Sequence, residues 1–232
     1  MSYLWQEFNI KTFPAETLVF RDGVFCENLS DYENVNFNPE NNTISVIKTP
    51  KLPIHIIYIG EIAGNIDINL NLNSENTGVF MTMKTNNKTP AFLNFFIKNT
   101  GKNSVFNGQI IMQNYNSLKI NIKADHLCEN TGIFVKTRVL AHKNSNTILN
   151  GSANIEKNIK NCDSDISFSV MADETAKITI CPKQYIKSEP KKASHSASLY
   201  IPSENQIKYL QSAGLSSMEI KNILEEAFLV DI

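Results

Sequence analysis

Asn65-Ile66-Asp67-Ile68-Asn69-Leu70-Asn71-Leu72 alternates polar and apolar side chains without a break, and Leu118-Lys119-Ile120-Asn121-Ile122 does the same. A period of two places every second side chain on one face, so each run reads as a strand with one buried side. From Thr43 to about Ile186 such runs follow one another, and no helical period survives among them. The region also repeats. Glu75-Asn76-Thr77-Gly78-Val79-Phe80 returns as Glu129-Asn130-Thr131-Gly132-Ile133-Phe134, an offset of 54, and the stretch from Ser104 to Ile110 is echoed by Thr147 to Ala153 at an offset of 43. Unequal offsets exclude a strict short repeat. They suit stacked strand coils joined by loops of differing length, each coil burying its apolar face against the next. The spacing therefore predicts a β-solenoid, with Asn107-Gly108 and Asn150-Gly151 at coil corners, where positive φ is tolerated. A β-sandwich, which also has short strands and Asn-Gly turns, is the competing reading.

The flanks differ in texture. Leu18-Val19-Phe20-Arg21-Asp22-Gly23-Val24-Phe25 reads as strand, Asp-Gly turn, strand, within an N-terminal segment 1–42. After a core at 43–200, a segment at 201–232 carries two short helices. Ser203 followed by Gln206 forms a capping box for a first helix reaching about Ser212 and ended by Gly214. Ser216 followed by Glu219 caps a second, whose Ile220, Ile223, Leu224, Ala227 and Phe228 share one stripe. Just before these helices a lone histidine, His195, stands in a strand-like run of small residues.

The 232 residues have a formal net charge of −1, which makes no electrostatic case for nucleic acid or an anionic membrane as partner. Asn, Ser and Thr fill the polar positions, although an AT-rich genome would by itself inflate Asn and Lys. Met1 to Glu7 lacks the basic start and apolar run of a secretion signal, and no apolar stretch approaches the roughly 18 residues that span a bilayer. Cys26, Cys128, Cys162 and Cys181 are far apart and form no CxxC pair, so they read as reduced thiols in a cytoplasmic protein.

Four segments resemble the SufB/SufD family of iron–sulfur cluster assembly proteins, and SufD more than SufB. The hairpin at 18–25 with Leu29-Ser30 is similar to "LVFxDGxF…LS", and Leu52-Pro53-Ile54-His55-Ile56-Ile57-Tyr58-Ile59 to "PIHLLFV". Val105-Phe106-Asn107-Gly108 or Ile148-Leu149-Asn150-Gly151 resembles "VFNG", with Ser169 to Glu174 following like "LLLSDEA". Pro182 stands thirteen residues before His195, as in "PxLEI…VKxSHGAT", and Gln206 to Ser216 looks like "xxFYLRSRGIS". Departures are also present. The chain is little more than half the usual length, Ser196 replaces a glycine or glutamate, and Ala213 replaces an arginine. Ser167 falls about where SufB carries a cysteine, which favours a SufD-like partner subunit.

The resemblance implies a right-handed parallel β-helix with a small C-terminal helical segment, acting as a non-enzymatic scaffold subunit. His195 would then help hold a transient iron–sulfur cluster, or iron, at an interface with a SufB-like subunit or a second copy. No cluster would be bound permanently by this chain alone, because one imidazole cannot hold one. The helices, through Tyr209, Leu210, Gly214, Glu219 and Phe228, would dock a SufC-like ABC ATPase, or simply anchor the tail at the solenoid end as a cap. The chain itself has no GxxxxGK[ST] loop. Cys181 is a secondary candidate, expected near His195 on an adjoining strand. His195 could instead be a hydrogen-bonded strand histidine. His55 reads as a core or edge histidine, and His126 with Cys128 and Glu129 as a solvated loop. A carbohydrate-active β-helix enzyme and a self-associating structural solenoid are the alternative functions; the scattered acids, with Arg21 and Arg138 the only arginines, speak against the enzyme.

Overall fold

The computed structural model describes residues 16–27, 32–40, 42–46 and 53–230. The first seven residues, Leu29-Ser30 and Leu52, used above, lie outside these. Each sheet begins with an antiparallel hairpin: β1 (Thr17–Arg21) with β2 (Val24–Phe25), and β3 (Val35–Asn38) with β4 (Thr43–Val46). Asp22 and Gly23 both have positive φ, the two-residue turn that Asp-Gly specifies. Eleven longer strands follow, alternating between the sheets. They are β5 (Ile54–Glu61), β6 (Gly64–Leu72), β7 (Gly78–Asn87), β8 (Ala91–Asn99), β9 (Val105–Asn114), β10 (Ser117–His126), β11 (Gly132–Ala141), β12 (Asn146–Ile155), β13 (Asp163–Ala172), β14 (Lys177–Ile186) and β15 (Lys192–Tyr200). Odd strands from β5 stack in parallel on β1, even strands on β4, giving a parallel solenoid of about six turns. The sandwich reading is thereby excluded, since every long strand pairs in parallel with the strand two places away. Segment 1–42 contributes β1 to β3 to these same sheets.

The alternation read in the sequence is the burial pattern. Ile68, Leu70 and Leu72 point inward at 0–2 % exposure, as do Leu93, Phe95 and Ile97 in the next coil and Ile120 and Ile122 in the one after. Outward, an amide ladder climbs one side. Asn94 donates to Asp67 at 2.7 Å, Asn121 to Asn94 at 2.6 Å and Asn150 to Asn121 at 2.9 Å. The asparagine content therefore serves the coil, since each amide offers a donor and an acceptor to identical neighbours above and below.

The corners differ from expectation. Asn107-Gly108 and Asn150-Gly151 lie inside β9 and β12, and neither glycine has positive φ. A Cβ on Gly108 would come 2.8 Å from the Phe106 ring, and one on Gly151 would come 2.9 Å from Ile166 and Phe168. These glycines make room for core side chains. The corners are turned by asparagines in the left-handed region, Asn76, Asn103 and Asn130, at intervals of 27 residues. The offset of 54 is thus two coils, while the offset of 43 relates strands of opposite sheets.

Helices α1 (Glu204–Ser212) and α2 (Ser217–Val230) follow, with Ser203 and Gln206 forming the expected capping box. They do not cap the solenoid end. Phe228 and Leu229 of α2 pack on the outer face of one sheet, against Ile111, Leu140 and Met171, with Leu224 and Tyr200 beside them, and Ile220 is buried as well. Ile223 and Ala227 face outward instead of joining the stripe. Arg138 fastens the helix by donating from Nη1 to the Phe228 carbonyl at 2.7 Å, and Lys221 by an ion pair with Asp173 at 2.8 Å.

Candidate functional site

The two ends of the solenoid are unlike. At the first coil Phe20, Phe25, Phe37 and Tyr58 form a closed aromatic cluster, with Phe20 and Tyr58 stacked at 4.2 Å. At the last coil β14 and β15 carry inward-register side chains that nothing covers among the described residues. His195, Ala197 and Leu199 pair with the buried Ile166, Phe168 and Val170, so they continue the core columns. Yet Leu199 is 54 % exposed, and His195 and Ala197 are also exposed. On the opposite sheet Ile186 continues the column of Ile155 and is likewise exposed.

His195 therefore stands in a core register at an open end, on an edge strand bonded only to β13. No hydrogen bond or ion pair among the described residues engages its ring.

Cys181 does not adjoin it. β14 and β15 end different sheets, and Cys181 shares the outward register of Asn150. His55 also points outward, with its ring stacked on Phe80 at 5.6 Å; partial burial holds its pKa below the usual histidine value. None of the four cysteines is in a disulfide. Among the described residues no three His, Cys, Asp or Glu side chains gather as a metal site.

His126 is fully buried, not part of a solvated loop. Its place in the coil explains this. One coil earlier the equivalent Asn99 bonds Ser104 five residues on, and His126 repeats that contact with Thr131, Nδ1 to Oγ1 at 2.8 Å. Thr131 gives its own proton to the Cys128 carbonyl, so Nδ1 carries the imidazole hydrogen and Nε2 is left without a partner. A second proton would have nowhere to go, and burial pulls the pKa down to about 4. The unfolded chain takes that proton near pH 6.5 and the folded one only near 4, so stability falls as pH falls through this window. The expected loss is about 3 kcal/mol. Denaturant unfolding at pH 7 and pH 4 should show it in the native chain and show much less in His126→Gln; equal pH slopes would remove the assignment.

The sequence reading passed over His142. It stacks on Tyr115 at 4.0 Å, with Nδ1 4.0 Å from Asp173, the residue that Lys221 grips. Burial lowers its pKa, and Asp173 opposes this in part. These groups form the polar edge of the contact between α2 and the solenoid.

On the tail, Tyr209 is 73 % exposed and Leu210 half-buried, while Phe228 is committed to the sheet. Gly214 takes the positive φ that ends α1. Glu219 closes the second cap by accepting from the Ser216 amide and hydroxyl at 2.8 and 2.7 Å, bonds that hold its carboxyl below the usual range. Met218 and Ile223 are further exposed apolar residues of α2. No helix among the described residues is long and apolar enough to cross a membrane.

The family model described as "SUF system FeS cluster assembly, SufBD core domain" matches residues 65–228, from within β6 almost to the end of α2. No curated protein sequence matches the chain.

Proposed function

The chain belongs to the SufBD core family of the SUF iron–sulfur cluster assembly system, and on that premise we propose that it is a SufD-like, non-enzymatic subunit working in the cytoplasm. Proteins of this system act with other subunits. In this reading the open end pairs with a SufB-like subunit, and the cluster under assembly is held between them. The observation that carries it is His195, an exposed imidazole in a core register without partners among the described residues, at the same open end as the uncovered apolar Ala197, Leu199 and Ile186. A surface-exposed core column is an unfinished interior, completed when a second body supplies the other wall.

The chemistry fits a shared site. A neutral imidazole is a good nitrogen ligand for iron, but a cluster needs several ligands, chiefly thiolates. This chain offers one group at that end, so the partner must bring the rest. The exposed Tyr209 and Met218 of the tail, with the half-buried Leu210, would receive a SufC-like ATPase, with Gly214 and Glu219 setting the turn between the helices and Phe228 anchoring them.

The test is capture from native cells followed by reconstitution. The chain should bring down a SufB-like subunit and an ABC-type ATPase. His195→Ala should assemble the same complex yet load cluster about tenfold less, judged by the visible absorption of the reconstituted complex. Equal loading would take His195 out of the mechanism. Capture of a second copy alone would replace the heterodimer by a homodimer.

A further inference from the structure

On the outer face of the helix-bearing sheet, two neighbouring rows each set one cation beside two serines. Lys136 pairs in register with Ser167 and Ser196, and Arg138 with Ser169 and Ser198. The second row floors a hollow of about 250 Å³ walled by Tyr200, Ala227 and Phe228, with no carboxylate in its lining. We propose that this hollow is a binding site for a tetrahedral oxyanion of the phosphate class, held by the Arg138 guanidinium and the hydroxyls of Ser169, Ser198 and Tyr200.

Donor supply is the argument. A guanidinium carries five N–H donors and cannot lose its charge. Arg138 gives one to the Phe228 carbonyl, rests 5.6 Å from the Phe228 ring, and has no ion pair among the described residues. Ser169 and Ser198 share a single bond, Oγ to Oγ at 2.9 Å, which leaves one of the two hydroxyls free to turn outward, apart from a long contact of Ser198 to the Phe168 carbonyl. Tyr200 accepts from Gln206 at 3.4 Å and keeps its own proton to donate. The acids on this face stand apart from that row: Asp165, two rows away, accepts the Ser194 hydroxyl at 3.0 Å, Asp163 lies a further row off, and Asp173 is paired with Lys221 at 2.8 Å. A half-buried cation with convergent hydroxyls and no counter-charge among the described residues is matched by an anion with several acceptor oxygens, because charge-assisted bonds to Arg are the strong ones. Lys136, one row on and exposed, adds attraction at longer range.

Free phosphate and the phosphate of a nucleotide offer the same oxygens, so both are probes. The whole chain is titrated calorimetrically with inorganic phosphate and with adenosine monophosphate, against chloride at equal ionic strength. Binding is expected with phosphate and not with chloride. Tighter binding of the nucleotide identifies a nucleotide phosphate as the ligand, and tighter binding of the simple ion identifies free phosphate. Arg138→Gln should abolish binding. Because that change also frees the end of α2, the paired substitution Ser169→Ala and Ser198→Ala is the decisive one, expected to weaken binding about tenfold with α2 still docked. Phosphate behaving as chloride does, or unaltered affinity in the serine variant, would overturn the assignment.

Discussion

Gly101→Ala is expected to destabilise the folded chain by about 3 kcal/mol. The corner at 100–104 lies directly over the corner at 73–77 of the coil before. Thr100 and Gly101 both give their amides to the Leu72 carbonyl, at 3.0 and 2.8 Å. A Cβ at position 101 would stand 2.1 Å from the Ser74 carbonyl oxygen and 2.5 Å from its carbon. Those atoms are backbone, so no rotamer change can relieve the clash. Two coils would have to part, losing the Leu72 bonds and the amide contact from Asn103 to Asn76 at 2.9 Å. Gly64→Ala is the control. It has positive φ but nothing within 4 Å of the added carbon, and should cost about 1 kcal/mol. Equilibrium denaturation of the two variants measures the difference, and near-equal values would contradict the stacked corners.

The second large effect concerns association. Leu199→Asp should leave the isolated chain as stable as before, since the side chain is 54 % exposed and ends a core column that nothing covers. In the complex the same carboxylate would be buried in an apolar contact without a partner. That should weaken subunit pairing about a hundredfold or more. Val24, 67 % exposed at the opposite end, serves as comparison; Val24→Asp should not alter pairing. Sedimentation or co-purification with the captured partner distinguishes the two. Unchanged pairing in Leu199→Asp would mean that the open end is not the joint.

Much of the fold was legible because a coil repeats its physical problem. Strict alternation at 65–72 and 118–122 marked strands with one wet face, and the recurring Glu-Asn-Thr-Gly marked the corner at which Asn76 and Asn130 turn the chain. The Asn-Gly pairs misled because glycine has two uses. At 108 and 151 it is chosen for the space it leaves beside Phe106 and Phe168, not for its φ. The landing place of α2 was also written in the chain, where alternation fails. Ile110-Ile111-Met112, Val139-Leu140-Ala141 and Val170-Met171-Ala172 are apolar on both faces because one face meets the core and the other meets the helix. At the site, the sequence singled out His195 but could not show that its column stays uncovered. It missed the Arg138 hollow because that site forms only when strands about 30 residues apart lie side by side.

The stoppered first coil has a consequence for stoichiometry. There both sheets finish in strands of two and four residues bent back on themselves, too short to template a neighbour. A rod that is adhesive at one tip only cannot grow by head-to-tail addition. In the pairing proposed above, the solenoid joint would therefore close at two bodies instead of running on into a filament.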